Sequence, residues 1–375
     1  MVKLFFFAGC FLLILLNVAR VESRDAPVEP RKHHGAHKED RITKILVFGD
    51  SFADNGNNRP NDKTLRFATR DWFYPYGITD ELHDKKPTGR FSNALVQSDF
   101  LAKILGSEQS PPPYMEKGAE EMDDAGMNFA VGGAGVFEVE MHYPTIRDQI
   151  QQLQDMINND LADGRDLQQS VALVAYSQAV DYEQIGYGAD MDASNDDDMQ
   201  TLADFVANVT DEIVSCVGLL QEMGVPKVLV NSLPPLGCRP RMARDSNYSE
   251  CVAISNQVSD THNAALKEKL GDDNTVMLLD LNTVFTDIVT PKEGSTLSKF
   301  ENGLEPCCEI KAAKNFCGEY NALNDDMPEF TTCSDRDGHF YWDQEHPSDA
   351  GWRAVMRILQ GEIMAFLGIS TLNHF

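Results

Sequence analysis

Basic side chains are in short supply. The chain carries 32 Lys and Arg against 59 Asp and Glu in 375 residues, a formal charge of −27 at pH 7. A surface this acidic repels phosphate backbones and anionic lipid headgroups, so neither nucleic acid nor polybasic membrane docking is expected. Long apolar runs are scarce too. Only residues 4–19 form one, behind the basic start Met1-Val2-Lys3, and it is shorter than the roughly 20 residues of a spanning helix. It reads as a secretory signal over 1–23, ending at small Ser23, with an uncleaved anchor or a buried helix as alternatives. No second run follows, so no stable membrane insertion is expected. Residues 370–375 carry neither a retention tetrapeptide nor an apolar tail, and the expected location is extracellular. Internal repeats are absent, and the composition excludes collagen, coiled coil and wholesale disorder.

Secretion fits two N-x-[ST] acceptors, Asn208-Val209-Thr210 and Asn247-Tyr248-Ser249, which mark Asn208 and Asn247 for glycosylation. Seven cysteines remain beyond the signal. Cys238 and Cys251 flank a loop, Cys307, Cys308, Cys317 and Cys333 crowd a second stretch, and Cys216 stands alone in an apolar helical pattern. Three bridges and one buried thiol are expected in an oxidising compartment. Zinc is the rival for the four-cysteine group, but adjacent Cys307-Cys308 lacks the usual gap between paired ligands. Residues 24–40, with His33, His34 and His37, read as a charged flexible linker, and 41–375 as a single domain.

Within that domain, apolar strand patterns at 42–48, 127–130, 171–176, 227–231 and 276–281 alternate with helix patterns at 93–105, 145–158, 202–223, 254–270 and 348–367. Thr145 and Ser348 are candidate N-caps, and Gly224 and Gly368 stand where helices stop. Strands apolar on both faces, each followed by a helix, predict a three-layer α/β/α domain around a parallel sheet of about five strands. Segments 55–87, 187–199 and 291–337 read as irregular. The Asp-rich run 190–198 lacks the Gly and final Glu of a calcium-binding EF-hand loop and reads as solvated.

In such a sheet, chemistry belongs at the carboxyl ends of the strands. After the first comes Gly49-Asp50-Ser51-Phe52, after the second Gly132-Gly133-Ala134-Gly135, and before the last helix Asp343-Gln344-Glu345-His346-Pro347. A serine hydroxyl needs a base, and an imidazole acting as base gains from a carboxylate on its other nitrogen. Ser51, His346 and Asp343 can fill these roles. Read singly, they could equally be a helix cap, a surface histidine and a second cap. Asp54, Asn55 and Asn58 are expected to shape the loop behind Ser51, and Arg90 either to order its neighbouring loop or to form a surface salt bridge.

These blocks resemble the GDSL branch of the SGNH hydrolases, specifically the plant GDSL esterase/lipase group. Gly89-Arg90-Phe91-Ser92-Asn93 and Leu233-Pro234-Pro235-Leu236-Gly237-Cys238 add to the likeness, which spans the chain beyond the signal. The G-x-S-x-G elbow of α/β-hydrolases is absent, because Ala53 occupies its final Gly position. The resemblance implies an SGNH-type, flavodoxin-like fold and a secreted serine carboxylic-ester hydrolase with an acyl-Ser51 intermediate. It implies Ser51, Asp343 and His346 as catalytic residues, with no metal and no cofactor. The expected partner is a small-molecule or lipid ester, met by a monomer.

The family's oxyanion donors are the Ser N–H, a Gly N–H and an Asn side chain. Ser51 and Gly133 match the first two, with Gly132 one register away. The third is lacking, because the family's G-N-D-Y is here Ala179-Val180-Asp181-Tyr182 and Val180 has no donor. Gln178, Ser177 or a water could fill the gap. An acyltransferase using the same serine and a non-catalytic acyl- or glycan-binding descendant are the alternatives.

Overall fold

The computed structural model describes residues 41–60, 66–117, 120–139, 142–186, 194–292, 300–321, 324–371 and 375. The expected signal, the linker with its histidines and the first residues of the 190–198 run lie outside them. Five strands form the central sheet: β1 (Lys44–Gly49), β2 (Gly126–Asn128), β3 (Ser170–Ala175), β4 (Lys227–Asn231) and β5 (Val276–Leu279). Their order is β2-β1-β3-β4-β5, with every pair parallel.

Side chains alternate across the pleat, so each strand needs apolar residues at consecutive positions to cover both faces. Ile45 and Val47 join one core with Leu173, Leu229 and the inner sides of α1 (Gln97–Leu105), α5 (Leu281–Val289) and α6 (Asp349–Leu367). Leu46 and Phe48 join the other with Val174, Val230 and α2 (Ile146–Asn158), α3 (Asp196–Met223) and α4 (Ala253–Leu270). This is the α/β sandwich that the sequence pattern predicts. The strand order reverses at β1, which opens a crevice between the carboxyl ends of β1 and β3.

Helix ends follow local chemistry. Thr145 Oγ1 accepts the Asp148 N–H (3.1 Å) and Asp148 returns the bond to Thr145 N–H (2.9 Å), closing a capping box on α2. Ser348 Oγ accepts the Gly351 N–H of α6 at 3.0 Å. Gly224 and Gly368 end α3 and α6 in the left-handed region.

Several boundaries depart from expectation. α1 starts at Gln97, because the Asn93 side chain binds the Asp349 N–H (2.9 Å) and Thr79 Oγ1 (2.7 Å) instead of entering a helix. α3 starts at Asp196, inside the segment read as irregular. Asn195 caps it, and Asp196, Asp197 and Asp198 lie in its first turn, where the helix dipole favours carboxylates. α5 was not anticipated.

The 291–337 segment also holds short strands. Cys308–Ile310 pairs antiparallel with Phe330–Thr332, Tyr320–Asn321 with Asn324–Pro328, and Asn302–Pro306 runs parallel to His339–Tyr341. Bridges Cys307–Cys333 and Cys308–Cys317 staple this segment, and Cys238–Cys251 closes the earlier loop, so the zinc alternative for the four cysteines falls away. Cys216 is free and buried. Burial first and nearby Glu212 second push its thiol up to about 12, which makes it inert.

Arg90 is no surface residue. It is buried, and its Nε and Nη2 each donate to Asp99 at 2.9 Å while Nη1 donates to Thr88 Oγ1. Burial opposes the Asp99 charge, but Arg90 and the Val96 and Ser110 N–H groups hold that carboxyl below its ordinary range. Removing one partner of a buried pair strands the other, so Arg90→Ala is expected to cost about 3–5 kcal/mol in urea denaturation. Because the Asp99 pKa is depressed in the folded state, this stabilisation is full above a pH of about 4 and lost on acidification. The variant should therefore show a shallower loss of stability on the acid side.

Candidate active site

The site begins where β1 ends. A Cβ on Gly49 (φ +140°) would lie 2.3 Å from the Ala175 carbonyl oxygen, so only glycine lets β1 and β3 approach this closely at their tips. Buried Gln149 of α2 clamps the same residue, accepting its N–H (2.7 Å) and donating to its carbonyl (2.9 Å). Asp50 then ties the two strand exits together. Its Oδ1 accepts the Phe52 N–H (3.0 Å), and its Oδ2 accepts those of Ser177 (2.6 Å) and Gln178 (2.7 Å). Burial raises the Asp50 pKa even against these three bonds.

Between those fixed points lies Ser51. Its Oγ is 2.8 Å from His346 Nε2. On the far side of the ring, His346 Nδ1 is 2.8 and 2.9 Å from the two oxygens of Asp343. Asp343 Oδ1 also accepts the N–H groups of Glu345 (2.9 Å) and His346 (2.8 Å), which bends the 343–346 loop so that the ring meets the carboxylate of its own turn. Phe91 stacks on the imidazole at 4.6 Å and Phe52 meets it edge-on at 6.2 Å. Ser51 thus meets a histidine and an aspartate remote from it in sequence in one hydrogen-bonded chain. The separate cap readings do not describe this arrangement, because Ser348 and not Asp343 caps the last helix.

Two further residues complete it. Tyr76 donates its hydroxyl hydrogen to Asp343 Oδ2 (2.7 Å), and Arg70 donates from Nε to the Tyr76 oxygen (3.1 Å) with Nη2 3.7 Å from Asp343 Oδ2. Burial would raise the Asp343 pKa, but His346, Arg70 and Tyr76 outweigh it and hold the carboxyl well below its usual range. Sequence reasoning missed both residues. They come from the segment read as irregular, and no periodicity marks them.

The Gly-rich turn after β2 is held by Asp54. Its Oδ1 accepts the N–H groups of Gly56 and Asn57 (both 2.8 Å), and its Oδ2 that of Gly132 (2.7 Å). Burial pushes its pKa up to about 6 despite these bonds. The Gly132 N–H is therefore engaged. Those of Ser51 and Gly133 (φ +83°) have no acceptor among the described residues. Asn55 and Asn58 donate to the Pro111 and Ala68 carbonyls, both at 2.8 Å, and shape the same loop.

Val180 borders the site and offers no donor. Ser177 is not on the wall of the cavity that holds Ser51, and its Oγ accepts from Asn231 Nδ2 at 2.9 Å. Gln178 has its carbonyl bound by Arg239 (2.9 Å), yet its amide Nε2 is buried without a partner among the described residues. A cavity of about 480 Å³ gathers Ser51, His346, Gly133, Gln178, Val180 and Phe67 on its walls. A larger one, about 670 Å³, lies beside Trp72 and Pro111 and touches neither Ser51 nor His346. Of the two sequon asparagines, Asn208 is exposed on α3, and Asn247 is exposed in a turn at φ +54°.

The profile of the GDSL-like lipase/acylhydrolase family matches residues 45–359. The chain belongs to that family. The GDSL esterase/lipase At5g03610 of Arabidopsis thaliana is 32% identical over 98% of each chain. The GDSL esterase/lipase At3g09930 of the same plant is 32% identical over 88% of this chain and 91% of its own. The anther-specific proline-rich protein APG of Brassica napus is 28% identical over 87% of this chain and 73% of its own. A parallel five-stranded sheet flanked by helices is consistent with the GDSL fold.

In this GDSL protein, a neutral-to-anionic hydrogen bond such as Tyr76 to Asp343 contributes about 1.5–3 kcal/mol. Tyr76→Phe is expected to lower kcat for ester hydrolysis about tenfold with little change in KM, measured by steady-state kinetics.

Proposed function

We propose that this GDSL hydrolase is a secreted carboxylic-ester hydrolase working through an acyl-Ser51 intermediate. The observation that carries this reading is the Ser51 Oγ to His346 Nε2 distance of 2.8 Å, with Nδ1 against Asp343. In the first half-reaction, Ser51 Oγ attacks the ester carbonyl carbon and its proton passes to Nε2. The tetrahedral adduct collapses, and the leaving alkoxide takes that proton and departs as the alcohol. Water then attacks the acyl-enzyme, His346 again accepting the proton, and the acid leaves as Ser51 is restored. Asp343 holds the tautomer with hydrogen on Nδ1 and stabilises the imidazolium.

The Ser51 and Gly133 N–H groups serve as oxyanion donors. One missing donor costs about 2.7–4 kcal/mol, or roughly 10²–10³ in rate. The third donor in this reading is the Gln178 amide, on the same cavity wall as Ser51, whose Nε2 has no partner among the described residues. The assembled hydroxyl–imidazole–carboxylate chain favours this reading over a non-catalytic descendant. Acyl transfer is the second reading. It draws on Val180, Val139, Phe67 and Phe91 in the cavity wall, apolar groups that hinder water beside an acyl-enzyme. Secretion rests on the apolar 4–19 segment and on three bridges that persist in oxidising compartments. Glycans at Asn208 and Asn247 belong to the same reading.

A fluorophosphonate probe is expected to label the purified protein but not Ser51→Ala, and 4-nitrophenyl butyrate turnover should vanish with the label. Turnover that survives Ser51→Ala would refute the assignment. Gln178→Ala should lower kcat about 10²–10³-fold, and Val180→Asn should raise the rate in that background. An ester product in excess of free acid, when a primary alcohol is supplied, would favour transfer over hydrolysis.

A further inference from the structure

Three arginines border the cavity that holds Ser51: Arg70, Arg239 and Arg241. Such a cluster is out of keeping with a chain of formal charge −27. Two of them have carboxylate neighbours. Arg70 Nη2 lies 3.7 Å from Asp343 Oδ2, and Arg241 Nη1 lies 3.1 Å from Glu345 Oε1.

Arg239 differs. Its Nη2 donates to the carbonyls of Ser177 (3.2 Å) and Gln178 (2.9 Å). Its Nε is buried without an acceptor, its Nη1 makes no hydrogen bond, and no ion pair joins it to a carboxylate among the described residues. Only 2% of the residue is exposed. Burying a cation without a carboxylate in contact is unfavourable, and two carbonyl dipoles offset only part of that. Asp50 sits on the opposite, N–H side of residues 177 and 178, and burial disfavours its charge. Glu345 on the same wall feels both Arg241 and Arg239, but it is paired with Arg241 at 3.1 Å, so among the described residues Arg239 has no carboxylate in contact at a position that lines the reaction cavity.

We infer that Arg239 binds a carboxylate carried by the substrate, so that the esters cleaved at Ser51 have a carboxylic acid group on their acyl or alcohol part. This rests on the acyl-Ser51 reading. Guanidinium is suited to the role, being always charged, weakly hydrated and a planar donor for carboxylate oxygens. The aromatic walls Phe67, Phe91 and Tyr143 supply apolar surface for the body of such a molecule. The overall negative charge opposes the approach of an anion, but physiological salt screens that field within about 8 Å, leaving the contact itself to Arg239.

The test is charge selectivity, the ratio of kcat/KM for an anionic ester to that for its neutral counterpart. One pair, 4-acetoxybenzoate and methyl 4-acetoxybenzoate, carries the charge on the leaving alcohol. The other, mono-4-nitrophenyl adipate and 4-nitrophenyl hexanoate, carries it on the acyl chain. Arg239→Gln is expected to lower the ratio at least tenfold in one pair, and Arg239→Lys to retain most of it. A purely structural role, through the 177 and 178 carbonyls, would slow both members of a pair alike. An unchanged ratio in both pairs overturns the inference.

Should Arg239→Gln not fold, calorimetry on Ser51→Ala protein decides instead. At least one anionic ester is expected to bind tenfold more tightly than its neutral partner, and equal affinities in both pairs overturn the inference. Turnover surviving in Ser51→Ala would overturn the acyl-Ser51 reading, while the binding measurement would still decide the role of Arg239.

Discussion

One buried carboxylate joins the two halves of the site. Asp50 accepts N–H groups from the turn after β1 and from the loop after β3, across the crevice where the strand order reverses. Gly49 makes the contact possible by letting the strand tips close to a distance no side chain would allow. Remove that link and the nucleophile and the Gln178 loop lose their common reference. The Ser51 turn, the Gln178 loop and the Gly132–Gly133 turn are each anchored to this carboxylate or to Asp54.

Three of the buried aspartates at this end of the sheet have pKa values that move in opposite directions. Asp50 and Asp54 are stabilised chiefly by backbone N–H groups, with His346 adding less at Asp50, which leaves burial dominant and raises both. Asp343 has the imidazole, Arg70 and the Tyr76 hydroxyl around it, and these reverse the same penalty. The distinction follows function. A carboxylate that only organises backbone tolerates partial charge, whereas the role proposed for Asp343, stabilising an imidazolium, requires it to stay ionised throughout turnover.

The sheet was legible because parallel strands buried on both faces leave continuous apolar runs such as Ile45 to Phe48. Ser51 was legible from its place at a strand exit, and His346 from the block just before the last helix. Helix starts were less so. Asp196 to Asp198 looked like solvated loop, and only knowledge of Asn195 as a cap turns the same charges into favourable first-turn residues. Tyr76, Arg70 and Arg239 left no trace in the pattern. Each reaches the site from outside the strand and helix patterns, and a stretch that follows no long period gives no way to infer where its side chains meet.

The proposed nucleophile and its proposed base are secured by different means. Ser51 stands on the sheet, whose cohesion comes from packing on two faces. The strand that leads into Asp343 and His346 is paired instead with the cross-linked segment, where Cys307 N–H donates to the Tyr341 carbonyl and Cys308 N–H to that of Trp342. Thiol reagents able to open those bridges could thus silence the molecule while its core stays folded, which would make redox environment, as much as temperature, a determinant of where it can work.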